Sequence, residues 1–210
     1  MIDNVLFDWD GTIVDSSEGI LECLRYSLQS VSFPPQSEEM LRSFIGPSLV
    51  WSYNTVLGMD KETTKTAIAS YVYAYAEKGG YKKFKLFDGI KELIIDLYNR
   101  GIKVSIVSAK PIPQLKKVVE HSGLAPYLDK LVGPNGEGKQ DSDKSEFIKI
   151  AKNGNSTIMV GDTDYDITSA RKAGIPSIAV LYGFGFKQKE NTGADYVVSS
   201  VQELRNILLK

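Results

Sequence analysis

The sequence predicts an α/β fold: a doubly wound parallel sheet interrupted by an inserted all-helical domain. Three observations predict it. Short β-rich apolar runs recur along the 210 residues, each followed by turn residues and a helical pattern, the alternation expected of a parallel sheet with helices on both faces. The interval 16–84 breaks this rhythm, with helical patterns and no convincing strand. The first apolar run, Val5-Leu6-Phe7, stops at two carboxylates, Asp8 and Asp10, as a buried strand does where a parallel sheet opens to solvent and ligands bind.

The apolar runs place strands at residues 4–8, 102–108, 130–133, 157–161, 177–181 and 196–198. Each carries β-branched and aromatic residues and is bounded by turn signals. Between them, helical periodicity is read over 89–100, 113–121, 144–152, 164–173 and 201–209. In the interval 16–84 the stretches EGILECLRYSLQSV, SEEMLRSFI, SLVWSYNTVL and KETTKTAIASYVYAYAEK read as helices. A structureless loop of that length does not belong in a compact domain, so an insertion with its own small core is expected. The main domain is then 1–15 with 85–210, and the insertion 16–84. Tyr71, Tyr73 and Tyr75 lie at a spacing that favours core and rim packing over a ligand cage. Lys82, Lys83 and Lys85 read as a solvated hinge face.

Composition excludes several functions. With 25 basic and 26 acidic residues and a net charge of −1, there is no field to hold a nucleic acid polymer or a membrane surface. No apolar run approaches the roughly 18 residues of a membrane span, and the N-terminal MIDNV lacks the regions of a signal peptide. A cytoplasmic protein is expected. Cys23 stands alone in a helical pattern and reads as a buried thiol. His121 is the only histidine, which leaves two-histidine phosphatases, Ser-His-Asp hydrolases with a second working histidine and multi-histidine metal sites almost nothing to work with. It reads as a C-terminal helix residue, followed by Ser122-Gly123. PNGEG, residues 134–138, lacks the Gly-Lys-Ser/Thr of a phosphate loop and reads as a surface loop. Chemistry must rest on carboxylates, hydroxyls, lysines and backbone amides.

Such groups gather at the strand ends: Asp8-Trp9-Asp10-Gly11-Thr12 after the first, Ser108-Ala109-Lys110 after the second and Gly161-Asp162-Thr163-Asp164-Tyr165-Asp166 after the fourth. Lys144 opens the helix before that fourth strand. In a parallel sheet these ends share one edge and one crevice. Three or more carboxylates there repel one another unless a cation joins them, and Mg²⁺, which takes oxygen ligands and keeps several waters, suits them. A phosphate beside the ion requires further donors: Lys144, the Ser108 hydroxyl and backbone amides at Trp9–Gly11 and Ala109.

These residues resemble the four motifs of the haloacid dehalogenase-like (HAD) superfamily: DWDGT the first, Ser108 the second, Lys144 the third and GDTDYD the fourth. The likeness runs the whole length, and the insertion stands where that superfamily carries a type 1 helical cap on its Rossmann-like core. FIGPSL (44–49), LFDGI and GFG (183–185) are similar to the phosphoglycolate phosphatase-like and 5′-nucleotidase-like branch. The resemblance implies a Mg²⁺-dependent phosphatase acting on a small-molecule phosphate ester. Asp8 would be the nucleophile and Asp10 the acid and base. Mg²⁺ would be held by the Asp8 side chain, the Asp10 backbone carbonyl and Asp162. Trp9, Gly11, Thr12, Ser108, Ala109 and Lys144 would bind the phosphoryl group. Asp166 would stand behind them, orienting Lys144 or a metal-bound water, and Lys110 would lie near the site; Asp164 has no assigned role. Arg42, Gly46, Pro47 and Ser48 are candidates for discriminating the leaving group. A phosphosugar mutase of the β-phosphoglucomutase type keeps the same acids, and a binding module on this fold would have lost a motif residue, whereas none is lost here. A haloacid dehalogenase has no need of Asp10.

Overall fold

The computed structural model describes residues 2–135, 143–154, 156–188 and 192–210; Gly136–Gly138 of the PNGEG stretch lie outside them. The chain divides into two compact units, Met1–Asp15 with Lys85–Lys210, and Ser16–Phe84. In chain order the strands are β1 (Asn4–Phe7), β2 (Val14–Asp15), β3 (Lys85–Leu86), β4 (Lys103–Val107), β5 (Lys130–Val132), β6 (Thr157–Gly161), β7 (Ser177–Val180) and β8 (Tyr196–Val198). The helices are α1 (Ser17–Ser30), α2 (Glu38–Arg42), α3 (Leu49–Trp51), α4 (Lys61–Ala76), α5 (Ile90–Asn99), α6 (Ile112–Ser122), α7 (Lys144–Ala151), α8 (Asp164–Lys172) and α9 (Val201–Leu208).

In the first unit six strands form one sheet in the order β5-β4-β1-β6-β7-β8, parallel at every pairing. The six predicted strands and five predicted helices of this unit are all present. Every residue of β1 and β6 is buried, which is why these central strands read as continuous apolar runs rather than alternating ones. Leu6, Val107 and Met159 meet Ile148 and Ala151 of α7 and Ala170 of α8 in one core. Successive residues of a strand face opposite ways, and α5 and α9 pack together with Leu93, Leu97, Leu204 and Leu208 buried.

The chain winds from β1 to β4 and β5 on one side, then from β6 to β7 and β8 on the other, so the strand order reverses at β1. That reversal opens a crevice outside the carboxyl ends. Phe7 is level with Ile106 on β4 and Val160 on β6, so Asp8, Ser108 and Asp162 leave the sheet at one edge. Beside it β2 and β3 form an antiparallel pair, Val14 opposite Leu86 and Asp15 opposite Lys85. Two residues per strand carry no readable period, and no pattern in the sequence announces them.

In the second unit α1 packs against α4, burying Ile20, Leu24 and Leu28. Tyr53 is buried with its hydroxyl 2.9 Å from Ser27 Oγ, which donates to the Ala67 carbonyl at 2.6 Å. Asp60 caps α4 by accepting from the amides of Glu62 and Thr63 at 3.0 and 2.9 Å. Tyr71 and Tyr75 are buried and stacked, ring centroids 5.9 Å apart, while Tyr73 is half exposed beside Tyr26. Packing thus accounts for the tyrosine stripe. The Cys23 thiol is buried. Lys82 and Lys83 are exposed, the latter paired with Glu22, as is Lys85 in the first unit. His121 is exposed in the last turn of α6, just before Gly123 at φ +73°. Among the described residues no helix is long and apolar enough to cross a membrane.

Candidate active site

Asp8 continues β1, its amide donating to the Val160 carbonyl at 2.9 Å. Lys144 begins α7 and reaches the same place from the other side. Its Nζ lies 2.7 Å from Asp8 Oδ1 and 2.5 Å from Asp166 Oδ1. Three contacts fix the lysine's starting point: Asp143 caps α7 by accepting from the Ser145 amide at 3.0 Å, Lys172 pairs with Asp143 at 2.9 Å, and the Lys144 amide donates to the Tyr165 hydroxyl at 3.0 Å. Asp166 is held in turn by Thr163, whose amide and hydroxyl donate to Oδ2 at 3.0 and 2.7 Å. This is the capping box that starts α8. The role of Tyr165 left no motif in the sequence.

Asp162, at the end of β6, accepts from the amides of Phe184 and Gly185 at 2.8 and 3.2 Å on Oδ2, and from the Thr12 hydroxyl at 3.4 Å on Oδ1. The GFG stretch therefore clamps this carboxylate. A side chain on Gly183 would overlap Asp162 and the Gly11 carbonyl. Gly11, at φ +83°, likewise leaves no room for a Cβ beside Asp162, and its conformation is one that L side chains rarely adopt.

Two expected phosphate donors have other engagements. The Gly11 amide donates to the Val14 carbonyl at 2.8 Å, closing the turn after β1. The Thr12 hydroxyl is on Asp162 and the residue is fully buried. Both contacts shape the acidic pocket. Trp9 is buried, and its carbonyl accepts the amides of Ile13 and Val14 at 3.0 and 3.2 Å. Asp164 is exposed in the first turn of α8, with Thr168 against it, and stands apart from the buried acids.

After β4, Ser108 is buried and its Oγ accepts the Lys110 amide at 3.1 Å, which leaves the hydroxyl proton to donate elsewhere. Ala109 follows, exposed. Gly133 makes this turn possible: a Cβ there would stand 2.7 Å from the Ser108 carbonyl and 2.9 Å from that of Lys110. Lys110 Nζ is 2.9 Å from Asp10 Oδ2.

Carboxylate oxygens of Asp8, Asp162 and Asp166 lie within 4.8 Å of one another, all three residues buried. Burial pushes Asp8 up to about 8, with Asp166 and Asp162 adding to it against the pull of Lys144. Burial and Asp166 push Asp162 up to about 7, against the Phe184 and Gly185 amides. Burial works against the charge on Lys144, yet Asp166 and Asp8 outweigh it and hold the ammonium above its usual range. Lys144 stays charged while Asp8 and Asp162 resist ionising, because both are buried beside other acids. A crowded set of oxygen donors short of positive charge suits a hard divalent cation. Each of the three carboxylates has an oxygen within reach of one such ion, and Asp166 is in addition held by Lys144 on one oxygen and by Thr163 on the other.

The same architecture recurs in known proteins. The chain aligns over 100% of its length with 99% of the crystal structure of a predicted phosphatase from Clostridium acetobutylicum, at 36% identity and TM-score 0.87. It is 27% identical to tyrosine-protein kinase PtkA of Mycobacterium tuberculosis over 97% of this chain and 72% of that one. It is 28% identical to a 5′-nucleotidase of Pseudomonas aeruginosa over 87% and 84%. Residues 5–180 match the model of the haloacid dehalogenase-like hydrolases, from the first strand through β7, and the chain belongs to that family.

Proposed function

We propose that the protein is a Mg²⁺-dependent phosphatase that hydrolyses phosphate monoesters of small cytoplasmic metabolites through an aspartyl-phosphate on Asp8. The observation that carries this reading is Asp8 itself: a carboxylate at the sheet's reversal point, 2.7 Å from a buried ammonium, with Asp10 two residues on. Its relatives include a 5′-nucleotidase and a structure described as a phosphatase.

In the first step an Asp8 oxygen attacks phosphorus as the ester P–O bond breaks, and Asp10 gives its proton to the departing alkoxide. In the second, water attacks the acyl-phosphate, Asp10 takes its proton, and the bond to Asp8 breaks to release inorganic phosphate. Each turnover restores both acids. Lys144 and the Ser108 hydroxyl bind phosphoryl oxygens and counter the charge that develops on them. Bound by Asp8, the Asp10 carbonyl and Asp162, Mg²⁺ would supply Lewis-acid stabilisation of that charge. Ser16–Phe84 is the family's helical cap in this reading, and the substrate's identity rests with it. There Arg42 is paired with Glu38 at 2.9 Å, and Ser48 precedes α3 with its Oγ buried.

Asp8→Asn tests the mechanism: turnover of p-nitrophenyl phosphate should vanish while the melting profile stays cooperative, and an unchanged rate would discard it. The likeness to PtkA favours one other acceptor, a tyrosine hydroxyl in place of water. Incubation with labelled ATP and a tyrosine-containing peptide separates the two, with no label on the peptide expected.

A further inference from the structure

We infer that Lys110 is a positioning residue for Asp10, holding that carboxylate apart from the buried acidic cluster with one oxygen turned toward the leaving group. The inference rests on the phosphatase reading and extends it. Lys110 Nζ is 2.9 Å from Asp10 Oδ2, with only 8% and 13% of the two side chains exposed. So sheltered a pair is little screened by salt. Asp10 Oδ1 is buried without a hydrogen-bond partner among the described residues, and a buried polar atom left open in this way calls for a reacting group or an ordered water. One oxygen anchored and the other open is the arrangement a proton-shuttling carboxylate needs.

Charge explains why an anchor is required. Asp8, Asp162 and Asp166 form one group around Lys144, and the Asp10 carboxylate is not among them. A fourth acid only two residues from Asp8 would be drawn toward any cation held there. Lys110 supplies the competing charge. The turn that presents Ser108 also aims the lysine, through the Lys110 amide on Ser108 Oγ at 3.1 Å and the close backbone of Gly133.

The test compares K110M, K110R, D10N and K110M/D10N on p-nitrophenyl phosphate with saturating Mg²⁺, each variant checked for a cooperative melt. K110M should lower kcat about 30-fold, part of the roughly 10²–10⁴ that acid–base catalysis supplies, with KM moving by less than about threefold. K110R should restore most of the rate, and the double variant should be no slower than D10N. Losses that multiply in the double variant, a raised KM at unchanged kcat, or a D10N enzyme as fast as the parent would each overturn the role of Lys110. If K110M does not fold, K110Q carries the same comparison. Full turnover by Asp8→Asn would instead overturn the phosphatase mechanism itself, so the two failures are distinguishable.

Discussion

Gly11, at φ +83°, sits so close to Asp162 that any side chain at position 11 would overlap the Asp162 carboxylate. That carboxylate cannot step aside cheaply, because Phe184, Gly185 and Thr12 all donate to it. Gly11→Ala should therefore cost about 1–3 kcal/mol of stability, the range for a mutation at a special backbone conformation. It should also abolish the rise in melting temperature expected on adding Mg²⁺ in the proposed reading. A variant that melts like the parent and still responds to the ion contradicts this packing.

Removing Lys144 leaves Asp8 and Asp166 buried without their shared ammonium. Lys144→Met should destabilise the fold by about 3–5 kcal/mol at neutral pH, the typical penalty for breaking a buried pair from one side. Acid should relieve part of the loss, since protonated carboxyls no longer need the cation. Denaturant melts at pH 5 and pH 8 check this: a deficit that is equal at both values counts against the charge argument.

Asp8 at about 8 and Asp162 at about 7 hold protons in the folded chain that the unfolded chain releases near 3.8. The folded state therefore binds more protons across this window, and the stability of the metal-free protein should fall as pH rises from about 4 to 8. A cation displaces those protons, so its apparent affinity should climb over the upper part of the same window. Melting temperatures with and without Mg²⁺ between pH 5.5 and 8.5 should diverge, and parallel curves would refute it.

Asp166 joins two functions, since it accepts from Thr163 as the cap of α8 and from Lys144 within the site. Asp166→Ala should cost at least the roughly 1 kcal/mol of a lost cap and should lower kcat through a displaced Lys144. Asp164→Ala, two residues away but exposed, should leave kcat as it was. Steady-state rates for the two variants decide whether the acids at 164 and 166 differ as their burial does.

The sequence carried the parts of this molecule that recur with a period or stand in a motif. Val5-Leu6-Phe7 is apolar because β1 is covered on both faces, and the same burial makes β6 legible. Asp8, Ser108, Lys144 and Asp162 stand at strand or helix ends, so topology alone brings them to one edge. What stayed hidden depends on contacts across the chain. No spacing says that Lys110 reaches Asp10, that the Tyr165 hydroxyl takes the Lys144 amide, or that the GFG amides grip Asp162. A sequence shows that the Gly11 amide and the Thr12 hydroxyl exist but not that they turn to Val14 and Asp162. The sequence does separate Asp166, set behind the site, from Asp164, and the helix places the first in the core and the second in water.

The pair β2–β3 sets Asp15 opposite Lys85, so the segment 16–84 departs and returns at points about 5 Å apart, the spacing of partnered strands. A stretch attached in this way is an exchangeable cassette. A tight turn from position 15 to 85 would close the socket, and a longer or shorter insert would plug into it without disturbing the sheet's register, since closure entropy grows only logarithmically with loop length. Such an attachment lets the inserted segment be exchanged while the six-stranded sheet is inherited intact.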